Sequence, residues 1–380
     1  MLLRVTIRLD AFIAFALGLL LTAVSAVAAS SPERILPTYW CGSHIMVTAH
    51  VGGDSSRALT LILDTGSTHN IIDPESLQRV SPNSSLVEGD SFTFKQLNLG
   101  EVKLSKVPGW LKDLDHLSTA LGHSIDGIIG YPTFKSTVLT FDYPAKQVRL
   151  SIKPDPLPRS DDVLKLKHFR RRPWITLRVG NRNVATLIDS GSSRGFSVQT
   201  NPKLKWKFDP VAVSTLTGFT RLEKVTMGRL VNDLTLGSTC FTTPAVREIS
   251  RKDIPSLGED VLRHFVVTID GPRHRIHFAP GDSVKNQTVS PEPHLGLGVG
   301  WQPHPESLEV VSLVPGGPGE KAGLQNGDHV ITINGKPISE FLGCDPAYRT
   351  ETNLTVAVRR SSSSSSSEFT TQLTRAILVP

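Results

Sequence analysis

The sequence predicts an all-β chain built from two related units followed by a different third one, and three observations carry that expectation. The first is an internal repeat. TLILDTGST, Thr60 to Thr68, returns as ATLIDSGSS, Ala185 to Ser193, with Asp64 and Asp189 standing 125 residues apart. VLTFDYPAKQVRL, Val138 to Leu150, returns as VVTIDGPRHRIHF, Val266 to Phe278, at an offset of 128, which is also the offset between Gly130 and Gly258. Blocks in one order at near-constant spacing are two copies of a unit of about 120 residues. The second is strand patterning: Ile45 to His50, Leu59 to Leu63, Val138 to Phe141, Trp174 to Val179 and Val266 to Ile269 are short, β-branched and bounded by turn formers. Helical periodicity is weak, with Asp113 to Leu121 as its main candidate. The third is a change of composition at Leu295, where a Gly-rich stretch unlike either copy begins.

Each segment follows in chain order. Met1 to Asp10 carries Arg4 and Arg8, Ala11 to Leu21 is apolar, and small residues follow to Ala29. That order reads as a secretory signal over residues 1–28, cleaved after Ala26 or Ala28. The expected location is therefore outside the cytoplasm, periplasmic or extracellular, with membrane attachment only if the signal stays uncleaved. The first copy spans residues 33–155 and the second 163–282, separated by the Pro-rich KPDPLPRSDD at Lys153 to Asp162. A second polar connector, Ala279 to His294, leads to a third domain over residues 292–380. Ser361 to Ser367, seven serines in a row, reads as a disordered surface loop between the last strands.

Composition narrows the functional classes. With 39% hydrophobic, 20% charged and 6% aromatic residues the chain is an ordinary globular protein, neither disordered nor collagen-like. The net charge of +6 is small for 380 residues, and basic and acidic side chains are interspersed, so nucleic acid is excluded as a partner. The basic LKLKHFRRRPW, Leu164 to Trp174, reads as a solvated strand face that could also attract acidic substrates or lipid headgroups. Cys41, Cys240 and Cys344 permit at most one disulfide, whose partners the sequence does not select. No CxxC, Cys/His cluster or HExxH occurs, so no metal or organic cofactor is expected. Asn83, Asn286 and Asn353 each open an Asn-x-Ser/Thr triplet, relevant only in a eukaryotic secretory pathway.

Two copies of apolar-apolar-Asp-Thr/Ser-Gly-Ser have a chemical logic that one copy lacks. The apolar strand buries the base of the loop, and Gly66 or Gly191 lets the backbone turn. The hydroxyls of Thr65, Ser67, Ser190 and Ser192 can hold the carboxylates in plane. If twofold packing brings Asp64 and Asp189 together, they cannot both ionise; they share a proton, so one acts as base and the other as acid on an attacking water. Composition alone would produce such a string on the order of a few hundredths of a time in a chain of this length.

Asp64-Thr65-Gly66-Ser67 and Asp189-Ser190-Gly191-Ser192 resemble the paired signatures of aspartic proteases. DGIIGYPTF, Asp126 to Phe134, followed by VLTFDYP, is similar to the retropepsin-like bacterial members, in which an apolar-apolar-Gly segment threads beside the catalytic loop. Ile128, Ile129 and Gly130 occupy it in the first copy; Ser256, Leu257 and Gly258 occupy it in the second, where Ser256 departs from the pattern. The resemblance covers about 240 residues. It implies two pseudo-twofold-related retropepsin/pepsin-like β lobes, a catalytic pair Asp64 and Asp189, a peptide or protein substrate and hairpin flaps over the cleft. Gly89 and Gly218 are candidate flap tips, and no Tyr lies between Asp64 and Asp126. A competing motif, GSSRG at Gly191 to Gly195, fits a serine-hydrolase elbow with Asp260 and His264 or His274, but Phe196-Ser197-Val198 reads as strand where that elbow needs a helix.

From Leu295 the chain resembles a PDZ domain. Gly296-Leu297-Gly298-Val299 fits a carboxylate-binding loop, and EKAGLQNGDHVITINGKPI, Glu320 to Ile338, fits the helix, turn and strand of bacterial members. The resemblance implies a C-terminal peptide ligand, its carboxylate held by loop amides and its backbone added to a strand edge. Ser339 to Thr350 departs from the usual longer helix. The resulting expectation is an exported aspartic endopeptidase whose PDZ domain recruits polypeptide. The alternative is a catalytically silent peptide-binding protein in which the PDZ domain carries the function.

Overall fold

The computed structural model describes residues 33–121, 123–152, 155–217, 222–341, 344, 351–361 and 366–380. The expected signal segment and Gly218 lie outside them. The chain is all-β, and its strands form the repeats the sequence announces. In the first copy the order across the sheet is Thr38–Cys41, His44–Val51, Ala58–Asp64, Gly127–Gly130, Asn70–Ile72, Val102–Leu111 and Ser91–Leu99. The short Gly127–Gly130 strand threads between two others, parallel to Ala58–Asp64 and antiparallel to Asn70–Ile72. Ser256–Leu257 threads the second copy in the same manner, between Arg182–Ile188 and Phe196–Gln199.

The duplicated VLTFD and VVTID blocks meet at the centre of a third, shared sheet. Val138–Asp142 pairs antiparallel with Phe265–Asp270, with Thr140 opposite Thr268 and their hydroxyls 3.2 Å apart. Arg34–Ile35 and Gln147–Ser151 extend this sheet on one side, Arg275–Pro280 and Val163–Lys165 on the other. A single hydrophobic core runs through both copies and includes Tyr131, Phe134, Phe141, Phe265 and Phe278. Burying the joint this way removes the edge that each copy alone would expose. Consequently the two copies are not separable domains, and both expected connectors are tied down. Asp162 accepts hydrogen bonds from the Ser238 amide at 2.8 Å and hydroxyl at 2.7 Å. Thr288–Val289 runs parallel to Thr239–Phe241, so the second unit's sheet extends beyond residue 282 into the expected linker.

Local structure follows local chemistry. The helix expected over Asp113 to Leu121 forms as Asp115–Leu121. A second helix, Pro74–Val80, is capped by Asp73, whose carboxylate accepts from the Glu75 and Ser76 amides, with Pro at the first turn. The same carboxylate accepts from the Leu114 amide at 3.1 Å, so the neighbouring Asp73, Asp113 and Asp115 cluster contains a helix cap already engaged. Ser361 and Ser366 pair across the Asn353–Ser361 and Ser366–Thr374 strands, so the described ends of the serine run are strand ladder rather than loop. Long complementary strands on both sides carry the pairing inward to the serines.

The C-terminal unit has its own core, including Leu297, Val299, Val310, Leu324, Val330, Ile338 and Val358. Its main sheet runs Val299–His304, Ser307–Leu313, His329–Ile333, Asn353–Ser361 and Ser366–Thr374. Buried Asp328 takes a bidentate pair of hydrogen bonds from Arg360, both at 2.7 Å, which compensates its removal from water. Three features fasten this unit to the first two. Cys41 and Cys344 form the disulfide that the sequence left open, while Cys240 is free. Arg229, buried, donates to the carbonyls of Thr243 and Glu292, each at 2.8 Å, and to that of Pro380. Val213, Val225, Met227 and Val379 make a small apolar cluster beneath the Trp206–Thr217/Leu222–Leu230 hairpin. Among the described residues no helix is long and apolar enough to cross a membrane.

Candidate functional site

Asp64 closes the Ala58–Asp64 strand and Asp189 directly follows Arg182–Ile188. The turns after them are the same: the Ser67 amide bonds the Asp64 carbonyl at 3.3 Å, and the Ser192 amide bonds the Asp189 carbonyl at 3.2 Å. The two loops face each other, so that Gly66 abuts the Asp189 carboxyl group, Gly191 abuts that of Asp64, and the two acids interact directly. The Gly66 amide donates to Asp64 Oδ1 at 2.7 Å and the Gly191 amide to Asp189 Oδ1 at 3.2 Å.

The hydroxyl residues take a different part from the one expected of them. Thr65 Oγ1 donates to the Ile188 carbonyl at 2.7 Å and accepts from the Ser190 amide at 3.0 Å. Ser190 Oγ donates to the Leu63 carbonyl at 2.8 Å and accepts from the Thr65 amide at 3.0 Å. Both are buried, and their four bonds cross between the copies, locking one loop to the other rather than holding the carboxylates in plane. Ser67 Oγ donates to the His69 carbonyl at 2.7 Å and Ser192 Oγ accepts from the Arg194 amide at 3.3 Å, so each braces its own loop. Backbone amides, not hydroxyls, hold the carboxylates.

Four glycines are required by close approach. A Cβ at Gly66 would lie 2.5 Å from Asp189 Oδ1, and one at Gly191 would lie 2.5 Å from the Asp64 carboxyl carbon. Gly130 and Gly258, the matched glycines of the threaded strands, sit against the Ser67 and Ser192 carbonyls, where a Cβ would come within 3.1 and 2.6 Å. Ser256, which broke the repeat pattern, is paired with Ser197: its amide donates to Ser197 Oγ at 2.7 Å and the two hydroxyls lie 3.2 Å apart. A polar residue is tolerated there because its partner is polar too. Gly191→Ala should therefore push the carboxyl groups apart, lowering the melting temperature by several degrees, as overpacking of a close contact does. Thermal scanning checks this; an unchanged melting temperature would show that the loops have room to yield.

Burial raises the pKa of both carboxyl groups, and it raises that of Asp189 well above the ordinary value, with the adjacent Asp64 charge adding to the shift. The Gly66 amide, the Asp189 hydrogen bond and the Ser67 amide act in the opposite direction on Asp64. Arg172, at the start of Arg172–Val179, also favours the charged form of both carboxyl groups, and its Nη1 lies 3.4 Å from the Gly66 carbonyl. In the sequence Arg172 stands within a basic stretch that reads as a solvated face, and nothing in its neighbours along the chain signals that the fold returns it to the Asp64 loop.

The serine-hydrolase elbow does not assemble. Phe196–Gln199 is a strand, His264 Nδ1 hydrogen-bonds Ser283 at 2.8 Å, and the His274 ring packs on His168 at 4.6 Å. Gly89 sits in a turn whose amide bonds the Leu111 carbonyl at 3.0 Å, at the base of Ser91–Leu99 and Val102–Leu111 rather than at the tip of that hairpin. In the second copy the long Trp206–Thr217/Leu222–Leu230 hairpin is tied near the Asp189 loop by Arg194 Nη2, 3.3 Å from Ser214 Oγ.

In the third unit Gly296 ends the His294–Gly296 strand, Leu297 is buried, and Gly298 turns the chain with φ +66° into Val299–His304. The turn is pinned through its carbonyls: Leu297 O accepts from the Gly319 amide at 2.9 Å and Gly298 O from the Val314 amide at 2.8 Å. Among the described residues the Leu297 and Gly298 amides bond no backbone carbonyl. The Trp206–Thr217 strand packs beside Val299–His304, and the far end of the latter, with Pro305 and Ser339, borders a cavity of about 810 Å³ shared with Ser76, Arg79 and Asp126.

No curated protein matches this chain. Residues 309–343, beginning within the Ser307–Leu313 strand and running past the Ile338–Phe341 helix, match the family model described as PDZ domain; Gly296 to Val299 lies outside the matched residues. The chain contains a PDZ domain at residues 309–343, a type of module that binds peptide or protein partners.

Proposed function

We propose that the chain is an exported aspartic-type endopeptidase of two retropepsin-like lobes, whose PDZ domain recruits or orients polypeptide substrates or partners. The single observation that supports this reading is the mutual hydrogen-bonding of Thr65 and Ser190 beneath a touching pair of carboxyl groups. Such reciprocity is costly to arrange for two solvated turns and has a use when two acids must share one proton. The pair holds one proton between its two members and either can carry it; with the proton on Asp189, Asp64 is the base. Asp64 takes a proton from a water held between them as its oxygen attacks the peptide carbonyl. Asp189 gives its proton to the carbonyl oxygen. Collapse of the resulting diol, with a proton passed to the amide nitrogen, releases the amine and regenerates the pair.

Export accords with the signal-like N-terminal sequence and with a Cys41–Cys344 disulfide, which persists in oxidising compartments. At the PDZ domain, the Leu297 and Gly298 amides take the carboxylate of a peptide C-terminus, a reading supported by their bonding no backbone carbonyl and by the adjoining Val299–His304 strand.

A peptide-library digest across roughly pH 3 to 8, with and without a peptide carrying a hydroxyl-bearing tetrahedral isostere, tests the reading. Cleavage that follows a bell-shaped pH profile and is abolished by the isostere supports it. Peptide binding without cleavage at any pH would replace it with the non-catalytic reading, in which the PDZ domain carries the function.

A further inference from the structure

Of three consecutive arginines, Arg170 and Arg171 form the turn between Lys167–Phe169 and Arg172–Val179, and Arg172 opens the second strand. Arg170 and Arg171 have φ of 48° and 61°, a pair of left-handed residues in a two-residue hairpin turn. Such turns strongly favour Asn and Gly, because a long side chain clashes with its own backbone there. Two arginines therefore occupy positions that local energetics would give to other residues, and backbone strain of this kind collects at functional sites.

Arg172, where the turn enters the second strand, lies against the loop of the carboxylate pair. Arg172 acts electrostatically on both Asp64 and Asp189 and reaches the Gly66 carbonyl. Its Nε is buried without a hydrogen-bond partner. The charge of Arg171 is felt at His69, two residues past Ser67 on the opposite loop. Aromatic faces hold the flanking guanidinium groups: Arg170 lies 5.3 Å from the Phe169 ring centroid and Arg172 5.7 Å from that of Trp174. Among the described residues no carboxylate forms an ion pair with any of the three. Arg172 faces the carboxylate pair, while Arg170 and Arg171 carry two further exposed positive charges on the adjoining turn.

We infer that Arg170, Arg171 and Arg172 form an acid-selective subsite, which binds a Glu or Asp side chain of the polypeptide close to the bond being cut. This deepens the endopeptidase reading and rests on it. A polypeptide fits better than an anionic lipid surface, because the Gly66 carbonyl that Arg172 contacts belongs to the same loop as Asp64 and is reached by a chain lying along the site rather than by a flat bilayer. Planar guanidinium groups match a carboxylate in a bidentate fashion, so Glu should be preferred over its neutral isostere Gln.

The test uses the full chain and fluorescent peptides in pairs that differ only by Glu against Gln near the scissile bond. Wild type should show a Glu/Gln ratio in kcat/KM of about tenfold, reduced toward one in Arg171→Gln and Arg172→Gln and weakened by salt. Unaltered melting temperatures confirm that the exposed-turn variant Arg171→Gln is folded. A ratio of one in wild type, or an undiminished ratio in both folded variants, overturns the subsite. If wild type cuts neither peptide, the endopeptidase reading falls, and fluorescence anisotropy with the same pairs decides the subsite separately. Tighter binding of the Glu peptide that is lost in the variants supports it; equal binding overturns it. Co-sedimentation with phosphatidylserine vesicles that the variants lose, with peptide ratios unchanged, assigns the arginines to a membrane and also overturns it.

Discussion

Replacing either acid, Asp64→Asn or Asp189→Asn, should lower kcat/KM for peptide cleavage by about a thousandfold or more, because acid-base steps by positioned groups contribute on that scale. The loss should come with no loss of fold. Both carboxyl pKas are raised, by burial first and for Asp189 also by the neighbouring charge. An acid whose folded pKa lies above its unfolded one binds more protons folded than unfolded, so its contribution to stability is fully present below the unfolded value near 3.8 and is lost as pH rises through the raised values. Asp189→Asn removes that loss. Its melting temperature should equal the wild type's at about pH 3 and exceed it by a few degrees at pH 7, a gap that opens with rising pH. Activity should require the singly protonated pair, giving a bell whose acid limb lies above the ordinary carboxylate range. Thermal scans and rate profiles of both variants check this together. A melting temperature that falls at neutral pH, or cleavage by Asp64→Asn at the wild-type rate, would mean that the pair neither shares a proton nor performs the chemistry.

Much of this site was legible because duplication writes geometry into sequence. The VLTFD and VVTID blocks matched at an offset of 128, and Thr140 and Thr268 prove to be opposite one another in the shared sheet. Gly130 and Gly258 matched in the same way, and both are needed for the threaded strand to pass behind its carboxylate loop. What a repeat cannot encode is contact between its copies. Thr65 and Ser190 looked like companions of their own aspartates, whereas each serves the other's backbone. Arg172 stands by strand register where the first copy has His44, and its approach to the Asp64 loop depends on how the two copies pack. The Cys41–Cys344 bond, spanning 303 residues, joins units that share no sequence pattern at all. The Pro74–Val80 helix has a local start signal in Asp73-Pro74-Glu75, but its seven residues show too little periodicity to announce it. The connectors misled for the opposite reason, since Pro-rich and polar segments such as Lys153 to Asp162 can still be bound at one anchoring residue, here Asp162.

The second large effect is expected at Thr65. Thr65→Val keeps the shape and removes only the hydroxyl, yet it leaves the Ile188 carbonyl and the Ser190 amide unpaired in a fully buried setting. Each orphaned group costs about 1–3 kcal/mol, so the variant should lose several degrees of thermal stability. Catalysis should fall further than stability, by about a hundredfold, since Thr65 and Ser190 set the distance between the two acids and an error of about 1 Å in a reacting geometry is worth that much. Ser190→Ala exposes the mirror pair, the Leu63 carbonyl and the Thr65 amide, and should have a similar effect. Because the four bonds form one closed set, the double variant should cost less than the sum of the singles. Thr65→Ser, which restores the hydroxyl without the methyl group, should recover most of the rate. That recovery separates a hydrogen-bonded clamp from simple packing: if Thr65→Ser is as slow as Thr65→Val, or if Thr65→Val retains wild-type kcat/KM at an unchanged melting temperature, the two loops are held together by something other than these hydroxyls.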